Sequence, residues 1–307
     1  MGLIILGAIM YYFSDYFAIL GAIIVIRTLI TAAYNAYPFW TSPVALSKYG
    51  GPGTWAIITG ATDGIGLAFA NEFAANKFNI VLVSRTLTKL QAVSDDLTKK
   101  YGVATKIIVA DFSKSNENPE EFFDNIFAEL KGLKVGVLVN NVGDAATKKF
   151  ADHTAEDLKR VNSLNLWPIV YMTKHALPGM LENDHHGAII NLSSVAGMRP
   201  MYASPLYTPG KAFDDFFSRV ISLEHGGKID CISLRPAFVS TNLTRNKKVG
   251  GICISPQDCV KGCLQALGKT HYTCGALPHR IVGFVGEMMP DFLAKKYFGP
   301  SARKPRS

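Results

Sequence analysis

Between residues 55 and 234, short apolar runs rich in β-branched residues alternate with stretches whose apolar positions recur every three or four residues. The runs Trp55-Ala56-Ile57-Ile58-Thr59, 79–83, 106–110, 135–139, 188–192 and 231–234 each read as a buried strand, because a strand covered on both faces needs no polar alternation. Helical patterns fill the intervals, the first of them running from a glycine-rich loop through Ala75. Strands alternating with helices predict an α/β fold with a doubly wound parallel sheet, whose ligands bind beyond the carboxyl ends of the strands. Asp111, Asn141, Ser194 and Pro236 all fall at such ends. A further helix is expected over 255–267, with Cys259 and Cys263 one turn apart and facing the core.

The two ends of the chain break this rhythm. Residues 3–26 are apolar except for Ser14 and Asp15, and Arg27 closes the run. At about 1.5 Å per helical residue, that length spans a hydrocarbon layer. Asp15, near its middle, would cost about 2.5–3.5 kcal/mol there, so a segment dipping into one leaflet stays open beside a spanning one. Residues 1–36 are therefore expected to form a membrane anchor in contact with lipid. Residues 37–53, with Pro38, Pro43 and Pro52, read as a connector, 54–275 as the catalytic domain and 276–307 as a membrane-proximal segment with a basic tail. Arg27 and Lys48 follow the apolar run, which places the large domain on the cytosolic side. Towards the other end, residues 281–285 are too short to span. Met288, Met289, Phe292 and Leu293 suit either an interfacial helix, with Lys295 and Lys296 at headgroup level, or a helix packed on the domain.

Composition narrows the partners. The 307 residues are 48% hydrophobic and 18% charged, with a net charge of +8. No basic stripe interleaved with aromatics appears, which argues against nucleic acid and leaves a phosphate, an anionic substrate or lipid headgroups to use the charge. Five scattered cysteines suggest free thiols in a reducing compartment. His185-His186 has no further ligand at metal-binding spacing, so no metal is expected.

Two groups of residues carry chemistry. The first strand leads into Gly60-Ala61-Thr62-Asp63-Gly64-Ile65-Gly66 and then a helix. Glycines there allow a tight turn and close approach of backbone to a pyrophosphate, which the helix N-terminus attracts. After the second strand, where an acidic residue would hold a ribose 2′-hydroxyl, stand Arg85 and, one turn on, Lys89. A guanidinium suits a 2′-phosphate, so NADPH/NADP+ is the expected cofactor. The second group is Asn165, Ser194, Tyr207 and Lys211. Tyr207 and Lys211, four apart on a helix, share a face. An ammonium beside a phenol stabilises the phenolate and makes tyrosine a usable acid–base group. Ser194 is placed to donate to a carbonyl oxygen as charge develops on it.

Together these residues resemble the short-chain dehydrogenase/reductase family over about 54–268. Thr59, Gly60, Gly64 and Gly66 match its TGxxxGxG loop, Asn140-Asn141-Val142-Gly143 its NNAG element, and Asn165, Ser194, Tyr207 and Lys211 its catalytic tetrad. The resemblance implies a Rossmann-like sheet and a proton relay supported by Asn165. It implies cofactor contacts at Gly60, Asp63, Gly64, Ile65, Gly66, Arg85, Lys89, Asp111, Asn141, Tyr207, Lys211, Val239 and Thr241. The valine at 142, the run Leu177-Pro178-Gly179-Met180 and the sequence Arg235-Pro236-Ala237-Phe238 are similar to the membrane-bound very-long-chain 3-oxoacyl-CoA reductases, a subgroup related to a 17β-hydroxysteroid dehydrogenase. That implies reduction of a long-chain 3-oxoacyl-CoA in fatty-acid elongation at the endoplasmic reticulum membrane, and allows association with other elongation enzymes. A steroid or retinoid oxidoreductase of the same fold is the alternative. A catalytically silent NADP(H)-binding membrane scaffold is the alternative of another class. One departure bears on the chemistry: Pro209 and Gly210 lie between Tyr207 and Lys211, so the helix must start close to Tyr207 to tolerate them.

Overall fold

The computed structural model describes residues 7, 11, 13–145, 147–242, 244 and 251–299, and divides into two compact units, Met1–Ser42 and Pro43–Ser307. Much of the first half of the expected anchor, and the basic tail, lie outside the described residues.

The first unit is dominated by one helix, α1 (Ser14–Trp40), long and apolar enough to cross a membrane. Ile19, Leu20, Ile23, Ile24, Leu29 and Ile30 are all more than half exposed, so apolar side chains ring the helix and point outwards. In water such a surface has no stable environment; a bilayer supplies one. The helix extends further along the chain than the apolar run suggests. Asp15 falls in its first turn, where a negative charge meets the positive end of the helix dipole. Arg27 lies within the helix instead of closing it, and the helix passes Pro38 before ending at Trp40.

The second unit is a seven-stranded sheet of β1 (Trp55–Thr59), β2 (Asn79–Ser84), β3 (Thr105–Val109), β4 (Val135–Asn140), β5 (Gly187–Leu192), β6 (Ile229–Leu234) and β7 (Tyr272–Thr273). All pairs are parallel and the spatial order is β3-β2-β1-β4-β5-β6-β7. Ile57, Ile58, Val81, Leu82, Val137, Leu138, Ile189 and Ile190 are fully buried, because helices cover both faces. These helices are α2 (Gly64–Ala75), α3 (Leu87–Tyr101), α4 (Pro119–Ala128), α5 (Ala155–Asn165), α6 (Trp167–Glu182), α7 (Tyr207–His225) and α8 (Pro256–Ala266). The strand order reverses between β1 and β4, which opens a crevice at their carboxyl ends. The expected strands match to within two residues at either end, while β7 is too short to leave an apolar run.

Part of the segment read as a connector is packed into the domain. Tyr49, in a 3₁₀ turn (Leu46–Tyr49), is fully buried among core residues. Its hydroxyl donates to Asp230 Oδ2 at 2.7 Å, and Lys48 Nζ reaches the same oxygen at 2.5 Å. Burial and the carboxylate together push the Tyr49 phenol well above the usual tyrosine range. After β7 come α9 (Leu277–Met288) and α10 (Asp291–Phe298), tied to the domain by Arg199. Its guanidinium donates to the carbonyls of Gly286, Glu287 and Met289 at 3.0, 3.0 and 2.7 Å and to Asp291 at 2.5 Å. The outer face of this segment carries exposed Leu277, Ile281, Val285, Met288, Phe292 and Tyr297.

Tyr49→Phe removes the buried hydroxyl and keeps the ring. It should lower stability by about 1 kcal/mol, read as a lower urea midpoint; an unchanged midpoint would mean that Lys48 alone satisfies Asp230.

Candidate active site

The crevice at the switch point is closed on one side by the glycine loop. Gly60 and Gly64 adopt φ of +64° and +53°, a left-handed region that side chains resist. Gly66 is required by space: a Cβ there would stand 2.3 Å from the Gly60 carbonyl oxygen and 2.6 Å from Asn141 Nδ2. Asn141 ties the loop down from β4, its side-chain amide donating to the carbonyls of Thr59 at 3.0 Å and Gly60 at 3.3 Å. Thr59 returns the contact, its hydroxyl accepting from the Asn141 and Val142 amides at 2.9 and 3.2 Å. Asp63 and Ile65 flank the start of α2, and a Cβ at Gly64 would meet the Thr241 methyl at 2.7 Å. The loop, Asn141 and Thr241 therefore form one cradle, shaped for a backbone-bound anion at the start of α2.

Arg85 follows the last residue of β2 and is exposed, as is Lys89 in the first turn of α3. Arg85 makes no hydrogen bond or ion pair among the described residues. Thr62 and Ser84 share a hydrogen bond of 3.1 Å that joins the glycine loop to this strand end. Asp111 caps a short turn, accepting from the Ser113 amide and hydroxyl at 3.1 and 2.7 Å.

The opposite wall holds the second group. The turn Val195–Met198 lies directly on α7, and a Cβ at Gly197 would stand 2.6 Å from the Lys211 carbonyl carbon. This close approach sets Ser194 beside Tyr207 and Lys211. Ser194 Oγ accepts from the Ala196 amide at 3.1 Å and lies 3.3 Å from the Pro236 carbonyl. Helix α7 starts at Tyr207, so Pro209 falls in its first turn, where its missing N–H costs no helical bond. The Tyr207 hydroxyl makes no hydrogen bond among the described residues. Lys211 is buried, its Nζ donating to the Leu192 carbonyl at 2.6 Å and to Asp214 Oδ2 at 2.9 Å. Asn165, at the end of α5, is locked to the backbone of Asp144 through bonds of 2.8 and 3.1 Å. Gly143 separates it from the lysine: a Cβ there would lie 3.1 Å from Asn165 Oδ1 and 3.4 Å from Lys211 Nζ.

Between the walls lies a cavity of about 450 Å³. Ile65, Asn141, Ser194, Tyr207, Lys211, Val239 and Thr241 line it, and Met198, Met201, Ile252, Val282 and Phe298 make the rest largely apolar. Gly60, Asp63, Gly64, Gly66, Arg85, Lys89, Asp111 and Asn165 do not line this cavity; the glycines form the cradle beside it, and Arg85 and Lys89 stand at the neighbouring strand end.

Several supporting residues escape the sequence reading. Arg235 is buried and forks onto Asp215 at 2.5 and 2.7 Å, reaches Glu287 at 3.2 Å and stacks on Tyr272 at 3.9 Å. His279, fully buried on α9, bonds the loop over the cavity: Nδ1 accepts from the Ala237 amide at 3.2 Å, and Nε2 lies 3.1 and 2.9 Å from the Phe238 and Ile252 carbonyls. This pattern uses the neutral ring with its proton on Nε2. Burial lowers the His279 pKa, in line with that form.

A family model described as short chain dehydrogenase matches residues 54–250. The very-long-chain 3-oxoacyl-CoA reductase of Anas platyrhynchos is 40% identical over 245 residues, covering 78% of this chain and 77% of that protein. The 17-beta-hydroxysteroid dehydrogenase type 3 of Rattus norvegicus is 37% identical over 243 residues, with coverage of 78% and 77%. Among solved structures, a short-chain dehydrogenase from Sphingobium yanoikuyae in complex with NADPH superposes with a TM-score of 0.67 at 25% identity, covering 83% of this chain and 97% of that one.

The buried neutral histidine makes stability depend on pH. Below about pH 6.5 an unfolded histidine takes up a proton that folded His279 resists, so stability is full above that value and falls as pH drops towards the lowered folded pKa. His279→Gln keeps a donor and an acceptor without titrating. Its unfolding temperature should change less than that of the unsubstituted protein between about pH 7.5 and about pH 5.5; equal changes would exclude His279 as the source.

Proposed function

The chain belongs to the short-chain dehydrogenase family, and from that membership we propose that it reduces the ketone of a long-chain 3-oxoacyl-CoA to the 3-hydroxyacyl-CoA with NADPH at a membrane surface. The observation that carries the reading is the wall on which Ser194, Tyr207 and Lys211 meet, facing a cavity whose remaining lining is largely apolar. The relatives' names supply the substrate class.

Bound NADPH supplies the hydride for the carbonyl carbon. The protein's part is to place and protonate. Gly60, Gly64 and Gly66 leave room for a pyrophosphate against the first amides of α2, with Asp63 and Ile65 beside it. Arg85 and Lys89 would take the 2′-phosphate, and Asp111, Asn141, Val239 and Thr241 would hold the rest of the cofactor. Ser194 turns its hydroxyl to the substrate oxygen. Tyr207 donates its proton to that same oxygen, which becomes the hydroxyl of the product. Of the three N–H donors of Lys211, two are engaged within the protein, which leaves one for a ribose hydroxyl. Asn165, fixed by Asp144 and separated from the lysine by Gly143, stands where a water connects it to Lys211 for reprotonation.

The apolar lining from Met198, Met201, Ile252 and Val282 suits the acyl chain beyond the ketone. An oxosteroid fits the same lining, and the similarity to a 17-beta-hydroxysteroid dehydrogenase keeps it as the second reading. The apolar α1 supports attachment to a membrane. Placement at the endoplasmic reticulum, with the domain in the cytosol, follows from the elongation reaction and from Lys48 after the helix. The exposed apolar face of α9 and α10 suits contact with the same lipid surface.

Detergent-solubilised protein should oxidise NADPH with a long-chain 3-oxoacyl-CoA faster than with an oxosteroid; the reverse order would replace the first reading by the second. Tyr207→Phe should lower kcat by a factor of about 100 to 10,000 with NADPH binding retained, and near-normal turnover would remove Tyr207 as the proton donor. Arg85→Asp should weaken NADPH binding by about tenfold to a hundredfold and NADH binding little. Equal losses would show that Arg85 does not read the phosphate.

A further inference from the structure

Helix α7 buries a polar stripe beside the apolar Phe217 and Ile221 that it packs on the core. Lys211, Asp214, Asp215, Ser218 and Ser222 face inwards, while Phe213, Phe216, Val220 and Leu223 are exposed. Each buried polar group on that face needs a partner, and all but one carboxylate oxygen among the inward acids finds one. Asp215 is held by the Arg235 fork and lies 3.2 Å from Arg219. Ser218 donates to the Asp214 carbonyl at 2.5 Å and accepts from Asn191 at 3.0 Å. Asp214 is different: Oδ2 accepts from Lys211, but Oδ1 is buried with no hydrogen-bond partner among the described residues. Its residue is 1% exposed and that of Lys211 5%.

A half-satisfied carboxylate in the core is an expensive side chain, since an apolar residue of similar size would fill the space without an orphaned oxygen. What it does at this position is meet the ammonium that stands next to the proton donor. A lone ammonium beside Tyr207 would stabilise the phenolate and draw the proton off; an ammonium paired with a carboxylate at 2.9 Å presents less net positive charge to the phenol. Reduction of a ketone needs the proton on the phenol, whereas oxidation of an alcohol needs it off.

We propose, resting on the reductase reading above, that Asp214 is a positioning residue for the reduction: it holds Lys211 against the Leu192 carbonyl and offsets its charge, so that Tyr207 keeps its proton and the site is biased towards ketone reduction. The groups facing the pair are few. On the same helix they are Tyr207 and Asp215, the latter neutralised by Arg235 and Arg219; α5 contributes the neutral Asn165 amide and β5 the Leu192 carbonyl, and the Cys231 thiol of β6 accepts from Asn191 at 3.8 Å. Burial pushes the Asp214 carboxyl up, with Lys211 opposing. Burial also lowers the Lys211 ammonium, but the charge of Asp214, the Tyr207 phenol and the Asp214 hydrogen bond outweigh it, and the net direction is upward.

The test is the ionisation of Tyr207 in the full-length protein, followed by ultraviolet phenolate absorbance against pH as the difference from Tyr207→Phe in the same background. Asp214→Asn should move the midpoint down by about one pH unit, the alkaline limb of NADPH-dependent reduction should move with it, and Asp214→Glu should restore both. A folded Asp214→Asn protein with an unmoved midpoint overturns the proposal, because a merely structural carboxylate would change stability and leave the titration alone. A third measurement needs no variant: the unsubstituted protein should reduce its ketone at a constant rate between about pH 6 and about pH 8, and an alkaline limb inside that range overturns the proposal even if Asp214→Asn does not fold. The phenolate titration needs no substrate, so failure of the acyl-CoA reading leaves it decisive. An active reductase with an unmoved midpoint would sink the role of Asp214 alone.

Discussion

The active end of the sheet hangs on the side-chain amide of Asn141. Two carbonyls of the glycine loop, those of Thr59 and Gly60, receive its N–H groups, and the Thr59 hydroxyl receives the amides that follow β4. The strands on either side of the switch point are thereby fastened at their carboxyl ends, where the parallel ladder has stopped supplying bonds. One requirement of the cradle follows directly from this knot. Gly66 must lack a side chain because the Gly60 carbonyl and Asn141 already occupy the space, and α2 can then point its first amides into the crevice.

The wall that carries Ser194, Tyr207 and Lys211 is built by a second close approach, that of Gly197 to the backbone of α7 at Lys211. Ser193 reinforces it by donating to the Lys211 carbonyl at 2.6 Å. Behind the wall runs a buried polar chain in which Asn191 links Ser218 to Asn140 and Asn140 reaches Thr173. Such a chain holds its members in one geometry because each would be costly to leave unpaired. The first asparagine of the Asn140-Asn141 pair thus serves the core and the second the cradle.

Much of this was legible in the sequence, and the part that was not has a common cause. The six long strands announce themselves because both faces are buried, and Tyr207 and Lys211 announce themselves through helical spacing. Tyr49 did not, since a single aromatic residue among prolines and glycines has no period, and only the fold brings it to Asp230. The inward stripe of α7 runs against the usual pattern: the apolar Phe216 and Leu223 point out and the acids point in, so periodicity alone would have placed Asp214 and Asp215 on the surface. Arg235 and His279 are partners of residues far along the chain, and no local signal marks a buried pair. The adjacent acids Asp214-Asp215, three and four residues after the lysine, were the one available hint. The N-terminal helix was visible as apolar length, but not where it ends, because Arg27 and Pro38 read as stops and the helix runs through both.

Arg199 gives the outer wall of the cavity a property of its own. One guanidinium holds the carbonyls of Gly286, Glu287 and Met289 and the carboxylate of Asp291, so a single side chain spans the junction between α9 and α10. Each bond limits the positions open to the guanidinium, so the four together fix the junction more narrowly than any one would. These four bonds make Arg199 the point where α9, α10 and the turn after Ser194 are joined. The apolar side chains that α9 and α10 lend to the cavity, Val282 and Phe298, are therefore positioned by an arginine whose bonds lie in the backbone between them.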